Sequence, residues 1–78
     1  VQEDWGQAVT SLIGATGDVT VSIGGGEQIG EVELLIAGGS ERFLARCPYP
    51  LAEGESVLVV GVRPGRVVDV ERWSVPGW

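Results

Sequence analysis

Histidine, lysine and methionine are absent from this chain of 78 residues, and cysteine, phenylalanine and tyrosine occur once each. Without a histidine or lysine to act as base, no serine or cysteine can be activated in the usual dyads and triads. The expectation is therefore a domain that is not an enzyme. A single cysteine, Cys47, cannot close an intrachain disulfide, which excludes a disulfide-stapled secreted mini-domain and favours a reducing compartment. A metal site would need further soft ligands beside it, so no metal and no cofactor is expected. The apolar runs are only a few residues long, far short of the roughly 20 that cross a bilayer. The opening Val1-Gln2-Glu3-Asp4 lacks the charged-then-apolar pattern of a signal peptide, and reads as the start of an excised domain or processed product.

What remains is 44% apolar residues, enough for one small core, and 13 glycines. Chains of this size bury only about 60% of their unfolded surface, so most apolar residues must serve a single core. Five arginines against 11 acidic residues leave a net charge of −6, which repels phosphate and anionic lipid at long range.

Residues 1–11 are mixed and poorly periodic, and read as a linker. From about Ala15 the period becomes two: Val19, Val21 and Ile23 alternate with Asp18, Thr20 and Ser22, as in a half-buried strand. Gly24-Gly25-Gly26 breaks the strand and opens a mobile loop to about Gly30. It could imitate a phosphate cradle, but no Lys or Ser/Thr follows at the required spacing and no helix follows to supply a dipole.

Two alternating segments follow. Val32, Leu34 and Ile36 share a face opposite Glu31, Glu33 and Leu35; Phe43, Ala45 and Cys47 share a face opposite Arg42, Leu44 and Arg46. A two-residue turn at Gly38-Gly39 sets Leu34 against Phe43 and Val32 against Ala45 in the core, and Leu35 by Arg42, Glu33 by Leu44 and Glu31 by Arg46 outside. Cys47 then closes the core face as a small hydrophobe. Pro48 and Pro50 make the stretch from Cys47 to Glu55 an extended crossing without helix. Val57 to Val62 is a strand buried on much of both faces, and Arg66 to Arg72 alternates through Val68 and Val70. Between them Arg63-Pro64-Gly65-Arg66 suits a type II turn, which fits a tight hairpin badly and allows a bulge to slip the register by one. Residues 74–78 form a tail whose tryptophans fold back over a barrel end.

Five short strands without a helix predict an all-β fold: a small five-stranded closed barrel of the oligonucleotide/oligosaccharide-binding (OB) type over residues 12–73, with an SH3-like barrel as the alternative. The spacing Leu12-Ile13-Gly14-Ala15-Thr16-Gly17, Gly30-x-Val32, Arg42-Phe43-x-Ala45, Gly54-x-x-Val57-x-Val59-Val60 and Gly65-Arg66-Val67-Val68-x-Val70 resembles the C-terminal soluble domain of the NfeD-like family. The resemblance covers about Leu12 to Glu71. It implies a barrel lacking the usual helix between its third and fourth strands. It also implies anchoring at the cell membrane through helices upstream of residue 1, a cytoplasmic setting for this domain, and action with stomatin- or prohibitin-like membrane scaffolds. Longer members carry a serine protease module, so a regulatory fragment of a membrane-bound protease is one alternative function. The Gly24 to Gly30 loop departs from the family's proline-containing turn, and no loop-borne role carries over.

The other alternative, a single-strand nucleic-acid binder, needs a basic groove with stacking rings. Asp69 and Glu71 lie among Arg63, Arg66 and Arg72, and between Leu12 and Arg72 only Phe43 and Tyr49 are aromatic. Glu31 and Glu33 read as solvated charges rather than a general acid and base. The outer face of the second and third strands is more informative. There Leu35 and Leu44 lie diagonally among Glu31, Glu33, Arg42 and Arg46, the make-up of a small protein-interaction surface.

Overall fold

The computed structural model describes residues 12–74. Five strands, β1 (Thr16–Val21), β2 (Gly30–Ile36), β3 (Gly39–Arg46), β4 (Ser56–Arg63) and β5 (Val67–Arg72), close into a barrel in the order β1-β2-β3-β5-β4. All neighbours are antiparallel except β3 and β5, which run parallel through Leu44–Val67, Ala45–Val68 and Arg46–Asp69. That parallel closure is the OB arrangement. No helix separates β3 from β4: the crossing, expected to be extended, bends at Pro48-Tyr49 and turns at Glu53-Gly54, and Leu51 between them is buried and bridges Ile23. Residues 1–11 and 75–78, read as linker and most of the tail, lie outside the described residues.

The inward positions of every strand meet in one core. Val19, Val32, Leu34, Ala45, Val57 and Val70 are at most 2% exposed, and Cys47 packs among them as a free thiol. Phe43 closes one end of the core. The Arg66 guanidinium lies 4.3 Å from its ring centroid and also donates to the Glu41 carboxylate and the Arg42 carbonyl, each at 3.2 Å. At the other end the Tyr49 hydroxyl accepts the Arg72 amide at 2.9 Å, and the Arg72 side chain reaches Glu55 at 2.9 Å. This joins the crossing to β5.

Four local expectations need correction. The β2–β3 hairpin turns at Ala37-Gly38, both at positive φ (49° and 85°), rather than at Gly38-Gly39. Its register is displaced by two residues, pairing Val32 with Phe43 and Gly30 with Ala45. A two-residue step leaves both faces unchanged, so alternation cannot detect it. It does set Glu33 opposite Arg42 instead of Leu44, a better cross-strand pair. In β1, a bulge between Val19 and Val21 turns Val21 outward to 53% exposure, although Ile23 is again buried. Gly30 permits the crossing there, since a Cβ would collide with the Val21 and Ser22 carbonyls.

In β4 a second bulge lies between Val59 and Gly61, so Val60 is exposed rather than buried. The one-residue slip thus occurs inside the strand, while Pro64-Gly65-Arg66 makes a three-residue connection with Arg66 at φ 61°. Finally, the stretch expected to be a mobile loop holds a tight hydrogen-bonded turn. Gly25 bridges Gln28, and the Gln28 amide donates to the Gly25 carbonyl at 3.0 Å.

Candidate functional site

Outward positions alternate with the core positions, and the register orders them into rows across the sheet. One row runs Val21, Glu31, Leu44, Val67 over β1, β2, β3 and β5. Next to it runs Ser56, Asp18, Glu33, Arg42, extended at its start by Trp73, whose amide donates to the Ser56 carbonyl at 2.8 Å. Leu35 and Ser40 form the row after that, at the hairpin end.

Glu31, Glu33, Leu35, Arg42, Leu44 and Arg46 therefore all belong to one outer face, but not in the expected grouping. Leu35 lies opposite Ser40, four residues of β3 from Leu44, or about 13 Å along the strand. The expected register puts them about 7 Å apart. Each leucine has a different apolar companion. Leu44, 46% exposed, shares its row with Val21, which the β1 bulge exposes. Leu35, 68% exposed, faces Trp73 across an open groove of about 680 Å³.

The charges around Leu44 are held in place. Glu31 accepts from the Thr20 hydroxyl at 3.1 Å and pairs with Arg42 at 3.8 Å. Arg42 and Arg46 precede and follow Leu44 at two-residue spacing on the same face of β3. Leu44 is thus an apolar centre with a polar rim of both signs, the anatomy of a small protein contact. Sequence alternation identified that rim. It missed Val21, because no residue signal announces the bulge, and Trp73, because the ladder between β4 and β5 continues one residue past Arg72, where the alternation ends.

The groove beside Leu35 has different chemistry. Its floor carries Asp18 and Glu33, directly opposite each other across β1 and β2. The Ser56 hydroxyl donates to Asp18 at 3.3 Å and the Ser40 hydroxyl to Glu33 at 2.9 Å. With Asp18, Glu31 and Glu33 on β1 and β2, this face is a poor track for phosphates. Among the described residues no group of three or more His, Cys, Asp or Glu side chains is placed to hold a metal ion, and no helix is long and apolar enough to cross a membrane.

One carboxylate is distinctly perturbed. The Ala52 amide donates to Glu55 and the Arg72 guanidinium bonds it, which together hold its pKa below the ordinary value despite partial desolvation. The same contact raises Arg72. Both belong to the latch at Tyr49.

A family model described as the NfeD C-terminal domain matches residues 16–71. Among solved structures, the solution structure of the soluble domain of the NfeD protein YuaF from Bacillus subtilis is similar. It superposes with a TM-score of 0.69 at 23% identity over 91% of this chain and 90% of that one, a likeness of fold. No curated protein matches.

Proposed function

The chain belongs to the NfeD C-terminal domain family, and from that premise we propose that it is a non-catalytic interaction domain of a membrane-anchored protein. Its partner is a stomatin- or prohibitin-like membrane scaffold, met through the row centred on Leu44. The observation that carries this reading is the row in which exposed Val21 and Leu44 flank Glu31, with Arg42 and Arg46 on either side of Leu44 along β3. The absence of histidine and lysine supports a binding rather than a catalytic role. The relative's description as the soluble domain of an NfeD protein supports attachment to membrane-spanning segments elsewhere in the full-length protein.

The test is co-purification of a stomatin-like scaffold with wild-type, Leu44→Glu and Leu35→Glu forms of the domain. In Leu44→Glu the new carboxylate would face Glu31 but lie between Arg42 and Arg46, so stability should change by no more than about 1 kcal/mol. Phe43→Ala, at the inward neighbour, should cost about 3–5 kcal/mol by thermal unfolding. Folded Leu44→Glu should lose the scaffold while Leu35→Glu keeps it. Retention by Leu44→Glu would remove this face from the interface.

A further inference from the structure

The groove between Leu35 and Trp73 has apolar walls, a floor of hydroxyls and carboxylates, and no cationic side chain in its lining. Its two carboxylates, Asp18 and Glu33, are direct cross-strand partners, an arrangement that normally disfavours a sheet. Among the described residues each has only a serine hydroxyl as a side-chain partner: Arg42, opposite Glu33 on its other side, makes its ion pair with Glu31 instead. Like charges held open between an aromatic and an aliphatic wall are complementary to one kind of group, a cation on an apolar stem. An arginine or lysine side chain has that shape, with its stem against Leu35 and its charge beside the Trp73 ring and between the carboxylates.

We infer that this groove docks an arginine- or lysine-bearing segment of a protein partner, at a surface separate from the Leu44 row. Electrostatic complementarity of this kind mainly sets orientation and rate of encounter, while the Trp73 wall adds a contact that bulk negative charge cannot imitate. The Leu44 reading and this one rest on different residues, so either can fail alone.

The experiment is a titration of the full chain with an acetylated, amidated tetra-arginine peptide, followed by amide and indole chemical shifts, with tetra-citrulline as the neutral isostere. Saturable shifts are expected at Gly17, Asp18, Glu33, Ser40 and the Trp73 indole, with little response to citrulline. The double variant Asp18→Asn, Glu33→Gln should weaken binding about tenfold, as expected for two partly exposed charge pairs, and should melt no lower than wild type. Trp73→Ala, which removes no charge, should weaken it about threefold. Shifts spread over acidic positions such as Glu27 and Glu53, with Trp73→Ala unaffected, would reduce the effect to bulk attraction and overturn the proposal. Equal binding of citrulline would overturn it, as would a marked loss of stability in the double variant, which would make the carboxylates structural.

Discussion

Glu55 shows how a half-buried side chain at the surface ties distant parts of the chain together. Its carboxylate takes the Ala52 amide at 2.9 Å and the Arg72 guanidinium at 2.9 Å, and its pKa is lowered in consequence. A carboxylate whose folded pKa lies below its unfolded value, ordinarily about 4.3, contributes stability that is present above that value. The contribution is lost as pH falls through the folded pKa. Wild type should therefore melt above Glu55→Gln at pH 7, and the difference should close on acidification below about pH 4, followed by thermal unfolding at a series of pH values. A gap that persists at low pH would mean that packing, not charge, carries the effect. Tyr49 and Arg72 are legible in the sequence only as a proline-flanked ring and one of several arginines. Their meeting depends on the chain returning from β4 through β5, which no local pattern encodes.

At the level of the element, face assignment and pairing register have different sources. Alternation correctly separates Val32, Leu34, Phe43 and Ala45 from Glu31, Glu33, Arg42 and Leu44, because a strand's period of two is written directly into the order of residues. Register is misleading because Gly38-Gly39 looks like the turn, whereas the hairpin turns at Ala37-Gly38 with alanine in a left-handed conformation. The displacement keeps every face intact yet regroups the outer side chains, so the candidate site is legible residue by residue but not as a surface. The bulges in β1 and β4 are beyond local reading for a similar reason: Val21 and Val60 are indistinguishable in type from the valines that stay inside. Because asparagine tolerates positive φ and Asn-Gly suits a type I′ turn, Ala37→Asn should stabilise the domain by about 0.5–1 kcal/mol in denaturant unfolding. If the turn lay at Gly38-Gly39, position 37 would be strand and the same change would destabilise it.

At the scale of the whole molecule, closure as an OB-type barrel is legible because five short strands without a helix leave few other ways to remove exposed edges. The order of closure is not, since parallel pairing of β3 with β5 is a relation between segments that share no turn. That parallel pairing has a mechanical consequence. It engages only Leu44 to Arg46, whereas the antiparallel neighbours β2 and β3 are zipped from Gly30–Ala45 to Ile36–Gly39. Parted along that line, the domain becomes an ordinary open antiparallel sheet in the order β3-β2-β1-β4-β5, with its other ladders unbroken. The native state should therefore breathe as a cylinder that unrolls, through a sub-global opening cheaper than complete unfolding. The Tyr49 hydroxyl, bonded to the Arg72 amide, is a latch across this line. Tyr49→Phe removes a hydrogen bond worth about 0.5–1.5 kcal/mol. Hydrogen exchange of the Leu44 amide, which donates to the Arg66 carbonyl across the opening, should then quicken roughly two- to tenfold, while the Phe43 amide within the β2–β3 ladder holds its rate. Equal acceleration at both amides would show that the cylinder opens only by unfolding altogether.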